Sequence, residues 1–383
     1  MQHPFSFRVP TQLRFGDGVS KEVVDVLPQS ARHVAVLRGA VGAAAQPIIA
    51  LLERHGVSVL QLTCGHEPSV ASVNAAVQAL SDKAIDAVVA CGGGSVLDTG
   101  KAVAFCLGHD LNLTDAFGDT PTALLDKPGP LPLVAIPTTA GTGAEATANA
   151  VLDIPSQRAK VSLRGRGLYA SYALIDPALL PSAPARTVLS SGLDAVVQTI
   201  EAYTSNAATP FSDALTEPNI ALGLDALKTI LASGDPEAWR AMAWVSTSSG
   251  VALANSGLGA VHGAASILGG QYGAPHGALC GRLLVPALRR NLARCETGSQ
   301  AERRLRTCFA SIAHVFAPIS SQDELSGLEH WQDDQGLPRL AAFNVRAEAI
   351  PALAKASRAA SSSKRNAVDL RAEDFQIIFQ AAL

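Results

Sequence analysis

The chain has 383 residues, 48% of them hydrophobic and 16% charged, with a formal net charge of -3. That length exceeds what a single core usually supports, so two domains are expected. Charges of both signs are scattered, which leaves no basic footprint for nucleic acid, and an aromatic content of 5% leaves little for a base-stacking platform. No uncharged apolar run reaches the roughly 18 residues of a membrane span, and the start (MQHPFSFR) lacks a basic segment followed by an apolar one. Neither a membrane segment nor a signal peptide is therefore expected. The six cysteines (Cys64, Cys91, Cys106, Cys280, Cys295, Cys308) form no CxxC pair and no recognisable ligand spacing. They read as incidental thiols in a reducing cytoplasm rather than as disulfides or a zinc site.

In chain order, residues 33–37 read as a short buried strand, 43–56 as the helix after it and 57–62 as a second strand. Residues 69–83 are helical, because Val70, Val73, Val77 and Leu80 recur at helical spacing. Residues 85–91 form a third strand, 95–107 another helix, and 133–136 a strand ending at Pro137. Apolar strands alternating with helices imply a parallel sheet covered on both faces. After Asp176 the strand signals fade. Helical stretches follow at 185–205, 211–233, 236–256 and 260–272, with more beyond Pro286, and the proline-rich stretch 177–184 marks the boundary. The reading is an α/β domain over 1–180 and an all-helical domain over 181–383.

Two loops follow strands of the first domain. Gly92, Gly93 and Gly94 lack the Cβ that would hold a ligand away from the backbone. Ser95 is placed to cap the next helix, with Asp98 three residues on as its partner in a box-like pair. The positive end of that helix would then face a pyrophosphate. The second loop, PTTAGTGAEAT from Pro137, offers threonine hydroxyls and backbone amides at another strand end of the same sheet, where ligands of such sheets bind. In the helical domain, Asp194 and Gln198 lie four residues apart on one helix, and His262 and His276 flank a glycine-rich stretch. One carboxylate, one amide and two imidazoles can converge on a divalent cation, Fe2+ or Zn2+, with the Gln198 carbonyl as a weak fourth donor. The same residues would also fit a hydrogen-bonded polar seam without metal.

The segments GGGSVLDTGKAVA, PTTAGTGAEAT, LIDPALLPSAP, GLDAVVQTIEAYTS and AVHGAASILGGQYGAPHG resemble, in order, motifs of the iron-containing alcohol dehydrogenase family. The resemblance spans roughly residues 10 to 380. It implies an N-terminal nucleotide-binding α/β domain with a parallel sheet and an all-α C-terminal domain, in a dehydroquinate synthase-like architecture. NADP or NAD and a divalent metal are expected in the cleft between them. It also implies hydride transfer between a small alcohol and an aldehyde or ketone, and a homodimer.

Carried across by residue, Gly92, Gly93, Gly94 and Ser95 would hold the pyrophosphate. Thr138, Thr139 and Thr142 would line the nicotinamide ribose, and Lys160 would reach the cofactor. Asp194, His262 and His276 match three metal ligands, the two histidines standing at the catalytic centre, while Gln198 occupies the position of the usual fourth, a histidine. Ser266 stands where many members carry a second, proton-relaying histidine, and Ala144 replaces a common serine. At the end of the first strand, Gly39 lacks the carboxylate of NAD-preferring relatives and Arg38 can pair with a 2′-phosphate, which points to NADP(H). Arg158, Lys160, Arg164 and Arg166, with Arg282 further on, offer charge for an anionic aldehyde, or simply a solvated face. Maleylacetate reduction, or a nucleotide-binding protein whose site has decayed at Gln198 and Ser266, are the alternatives. The phosphate-binding residues of dehydroquinate synthases and glycerol-1-phosphate dehydrogenases are not evident.

Overall fold

The computed structural model describes residues 4–65, 67–114, 122–154, 156 and 159–383. They form two compact units, Val9–Ala183 and Pro184–Leu383, and the segment ending at Arg8 belongs with the second. Asn255 holds that segment: its Oδ1 accepts from the Arg8 N–H at 2.6 Å and its Nδ2 donates to the Arg8 carbonyl at 3.0 Å.

Among its described residues the first unit has eight strands: Gln12–Phe15 (β1), His33–Gly39 (β2), Ser58–Cys64 (β3), Ala87–Gly92 (β4), Leu133–Pro137 (β5), Asn149–Ile154 (β6), Ala159–Arg164 (β7) and Tyr172–Ile175 (β8). Six of them form one sheet in the order β1-β8-β5-β4-β2-β3, every pair parallel. Its helices are Val23–Val26 (α1), Gln46–Arg54 (α2), Val70–Ser81 (α3), Gly94–His109 (α4) and Thr122–Leu125 (α5). Val34, Val36, Val89 and Ile136 pack with α1 and α2 on one face, while Ala35, Leu37, Val88 and Ala90 pack with α3 and α4 on the other. Successive residues point to opposite faces and both faces are covered, so the central strands β2, β4 and β5 show no polar alternation.

The chain runs from β2 out to β3 and returns past β2 to β4, so the strand order reverses between β2 and β4. In register, Arg38 pairs with Cys91 and Gly92 with Pro137, which sets the carboxyl ends of β2, β4 and β5 along one rim. This is where doubly wound sheets bind ligands. Strands β1 and β8 and the antiparallel β6–β7 hairpin go beyond the sequence reading. β1 and β8 have only four residues each, and β1 is largely exposed, so neither carries a periodicity strong enough to read.

Among the described residues the second unit is helical: Ala185–Thr204 (α6), Pro210–Ser233 (α7), Pro236–Ser256 (α8), Ala260–Tyr272 (α9), His276–Arg294 (α10), Gln300–Val315 (α11), Ser326–Asp334 (α12), Ile350–Ala359 (α13) and Ala372–Ala382 (α14). Helix α6 runs through its middle and is buried without interruption from Gly192 to Thr204, so its polar residues must find partners inside the protein. No single helix among the described residues is long and apolar enough to cross a membrane; α8 and α9 pass that test only jointly, across a 99° bend.

A fully buried carboxylate joins α14 to α10. Asp374 accepts from Arg290 Nε at 2.5 Å, Arg294 Nε at 2.8 Å and the Arg371 N–H at 2.7 Å. Burial opposes its ionisation, but the hydrogen bonds from Arg294, Arg371 and Arg290 outweigh it and hold the pKa below the usual carboxylate value. A depressed folded-state pKa contributes stability that is fully present above the unfolded value, about 3.9, and is lost as pH falls through the folded value. Asp374→Asn is predicted to destabilise the protein by about 3 kcal/mol at pH 7. The gap to the parent protein should narrow below about pH 4, as read by denaturant unfolding across pH.

Candidate metal centre and nucleotide loops

Helix α6 supplies three polar residues along one buried face: Asp194, Gln198 one turn on, and Glu201 almost one turn further. Glu201 is the pivot. Its carboxylate accepts from the backbone N–H of Gly259 at 2.9 Å, Val261 at 2.6 Å and His262 at 3.3 Å, so it caps the start of α9 from outside that helix. It also takes the His262 Nδ1–H at 2.7 Å, which leaves Nε2 as the outward-facing nitrogen.

That Nε2 lies 3.2 Å from Asp194 Oδ1. Both atoms are buried and neither makes a hydrogen bond, so the approach is one of proximity without hydrogen-bond alignment. His276, the first residue of α10, brings its Nε2 to 3.8 Å from the same oxygen. The neighbouring Gly277 permits this, because a Cβ there would sit 2.2 Å from the Ser190 carbonyl of α6. One turn into α10, Cys280 Sγ lies 3.6 Å from His276 Nε2. Ligand atoms of Asp194, His262, His276 and Cys280 all fall within 4.8 Å of one another.

At 3.2 Å the two atoms attract each other when the ring is protonated, but neither has an aligned hydrogen bond, which is costly for buried polar atoms. The arrangement fits a cation that both atoms ligate, and the residues present therefore suit a divalent metal. Burial works against a charged His262, but Cys280, Asp194 and Glu201 outweigh it and raise the ring well above the usual imidazole value. Burial likewise opposes ionisation of Asp194, and the two histidines outweigh it and lower its pKa. A metal would displace the proton that His262 otherwise holds. Burial pushes the Cys280 thiol up to about 12.

Sequence reasoning missed Glu201 and set Cys280 aside with the other thiols, although each shares a helix face with a predicted ligand. Gln198 is buried, and its Nε2 donates to Ser249 Oγ at 2.8 Å. Ser266 donates to the Gly263 carbonyl of its own helix at 2.9 Å. Arg282, expected to offer charge to a substrate, is instead buried: its Nε donates to the Pro338 carbonyl at 3.3 Å and its Nη2 pairs with Asp333 at 2.8 Å. Buried guanidinium groups need such partners, which removes Arg282 from any ligand-attracting surface.

In the first unit the two predicted loops meet. The Thr138 N–H donates to the Gly92 carbonyl at 3.0 Å, and Cβ atoms on Gly93 and Gly94 would lie 3.2 Å and 3.0 Å from the hydroxyls of Thr139 and Thr142. The α4 cap is Gly93 rather than Ser95, which sits inside the first turn; no side chain caps this start, an arrangement in which first-turn N–H groups can meet an anion. Asp98 is not part of a capping box. Its Oδ2 accepts from the Val151 N–H at 3.0 Å and its Oδ1 pairs with Lys101 at 3.5 Å. The Lys101 ammonium, fully buried, also donates to Thr147 Oγ1 at 2.9 Å and the Asn149 carbonyl at 2.8 Å, so it ties α4 to the threonine loop and the hairpin.

Lys160, in β7, pairs with Glu67. Arg164 and Arg166 are exposed, while Arg158 lies outside the described residues. At the end of β2, Arg38 is half-buried, with Nη1 3.3 Å from the Gly39 carbonyl and Nε 3.4 Å from Gln61 Oε1.

Residues 10–177 match the family model of iron-containing alcohol dehydrogenase, and residues 188–383 match that of the Fe-containing alcohol dehydrogenase family, C-terminal. The long-chain-alcohol dehydrogenase 1 of Geobacillus thermodenitrificans is 33% identical over 82% of this chain and 80% of its own. The NAD-dependent methanol dehydrogenase of Bacillus methanolicus is 31% identical over 76% and 75%. A crystal structure of a 1,3-propanediol oxidoreductase superposes with a TM-score of 0.85 at 25% identity, covering 100% of both chains.

The geometry around Glu201 predicts that Glu201→Gln lowers affinity for a divalent ion by roughly 10- to 100-fold, the usual effect of losing the group that orients a histidine ligand. Competition with a chelator reads this, and a melting curve shows that the variant is folded. Unchanged affinity would show that Glu201 does not set the His262 ring.

Proposed function

Since the chain belongs to the iron-containing alcohol dehydrogenase family, we propose that Asp194, His262 and His276 hold the divalent cation with which it interconverts an alcohol and an aldehyde or ketone. The observation that carries this reading is the buried pair of Asp194 Oδ1 and His262 Nε2, 3.2 Å apart and without hydrogen bonds. When bound, the cation supplies Lewis acidity to the substrate oxygen and the nicotinamide supplies or takes up the hydride. Asp194 and Glu201 bring negative charge to balance the ion, and Glu201 fixes the tautomer that presents Nε2. His276 is partly exposed, so it is the cluster residue with access to solvent. Ser266 does not titrate near neutral pH and is bonded to its own helix, so it is not the base for the alcohol proton, which with cation and dinucleotide bound would leave through water, a ribose hydroxyl or the surroundings of His276.

For the cofactor, Gly92, Gly93, Gly94 and Ser95 hold the pyrophosphate against the start of α4, with Thr138, Thr139 and Thr142 beside them. Lys160 reaches the cofactor from the hairpin, where it is now paired with Glu67, and Asp98 supports the loop through Lys101. NADP(H) is the preferred dinucleotide: Gly39 places no carboxylate at the end of β2, and Arg38 supplies a guanidinium beside it. The protein is a cytoplasmic homodimer in this reading. All six cysteines are free, and β1 is an exposed edge strand able to meet a second copy.

Two measurements check these assignments. NADPH oxidation with a panel of aldehydes and ketones should stop when the metal is stripped and return with Fe2+ or Zn2+. His262→Ala should lower kcat/KM by at least about 100-fold, as the loss of several kcal/mol of charge stabilisation requires. Full activity of metal-free protein would contradict the metal's role. For the dinucleotide, kcat/KM should be higher with NADPH than with NADH. Gly39→Asp should reduce the NADPH value by about 10-fold or more, because a carboxylate then faces the 2′-phosphate. A preference for NADH in the parent protein would overturn that part.

A further inference from the structure

Four side chains, rather than three, point their donor atoms at one buried spot. Cys280 follows His276 by four residues on α10, so both project from the same side of that helix. Its Sγ lies 3.6 Å from His276 Nε2, and it shares the 4.8 Å cluster with Asp194 and His262. A cysteine alone would be a packing residue. The second observation is the hydrogen-bond deficit of the two buried atoms beside it, Asp194 Oδ1 and His262 Nε2, whose unsatisfied positions face the same place.

The spacings carry the argument further. A tetrahedral zinc with Zn–S of about 2.3 Å and Zn–N or Zn–O of about 2.0–2.1 Å has S···N edges of about 3.5 Å and N···O edges of about 3.3 Å. The corresponding distances here are 3.6 Å for Cys280 to His276, 3.2 Å for His262 to Asp194 and 3.8 Å for His276 to Asp194, each within about 0.5 Å of the ideal edge. Gln198, in contrast, has its amide anchored on Ser249 Oγ, which itself donates to the Ser246 carbonyl at 2.8 Å.

We propose that Cys280, as thiolate, is the fourth metal ligand in place of Gln198, and that the site is therefore built for zinc rather than iron. A soft thiolate beside two imidazoles and one carboxylate favours Zn2+, whereas a donor set without sulfur serves Fe2+ equally well. On binding, the metal–sulfur bond forms as the thiol proton leaves to solvent, with no change of oxidation state. Four protein ligands leave substrate to enter as a fifth, an expansion zinc tolerates.

This inference rests on the metal-assisted reading above, and one experiment separates their failures. The protein is stripped, reloaded with Co2+ and examined by absorption spectroscopy, and zinc affinity is measured by chelator competition. A thiolate-to-cobalt charge-transfer band in the near ultraviolet is expected for the parent protein. Cys280→Ser should abolish the band and weaken zinc binding by at least roughly 10-fold. Gln198→Ala should keep the band and bind zinc within about threefold of the parent, a small change on the scale of a lost ligand. Stoichiometric cobalt without the band, a band that survives in Cys280→Ser, or loss of zinc in Gln198→Ala alone each overturns the assignment of Cys280 while leaving a metal enzyme. A protein that binds no divalent ion overturns both readings.

Discussion

Glu201 is a carboxylate buried inside a helical bundle, where an ionised group survives only if every lone pair is answered. Three backbone N–H groups at the start of α9 and the Nδ1–H of His262 provide those answers. The bonds act in both directions. They satisfy the orphan donors of a helix start that has no side-chain cap of its own, and they fix the orientation of the His262 ring. With Nδ1 committed, Nε2 has one place to face, and Asp194 of the neighbouring α6 turn faces it. The unsatisfied pair on which the proposed metal site rests follows from this one carboxylate.

The first unit solves a different problem with a different device. A parallel sheet buried on both faces must end somewhere, and its loops emerge at the carboxyl ends of the strands. The register of β2, β4 and β5 lines up Arg38, Gly92 and Pro137, so the two loops that need to meet are neighbours by hydrogen bonding and not by chance. A side chain at 93 or 94 would press on the hydroxyls of Thr139 and Thr142, which would have to shift to admit it. Behind them, Lys101 and Asp98 form a buried charged pair that fastens helix α4 to the hairpin. Burial lowers the pKa of Lys101 and raises that of Asp98, and their mutual attraction opposes both shifts.

Much of this was legible in the chain itself. Long apolar segments at helical or continuous spacing gave the α3 and α4 helices, strands β2 to β5 and helices α6 to α9, because burial on two sides writes itself into composition. By contrast, α10 starts at His276, ahead of the Pro286 beyond which the sequence points to further helices. The glycine and threonine loops and the Asp194, His262 and His276 set were visible as motifs. What escaped were features decided by tertiary contact. Glu201 looks like any helix carboxylate until α9 is docked on it. Cys280 has no CxxC partner, since its companions come from three different helices. Arg282 looks like a free cation next to Gly281, but the Pro338 and Leu337 carbonyls and Asp333 enclose it. Ser95 fits a capping pattern, yet Gly93 takes the cap because the backbone turn begins earlier.

The central claim is that the unsatisfied pair of Asp194 and His262 exists to hold a cation. Crystals grown with the bound metal, with diffraction recorded on either side of its absorption edge, test it most directly. The account predicts an anomalous peak at about 2.0–2.2 Å from Asp194 Oδ1 and from the Nε2 atoms of both His262 and His276. A metal bound elsewhere, or no peak and a well-aligned hydrogen bond closing the gap between Asp194 and His262, would contradict it.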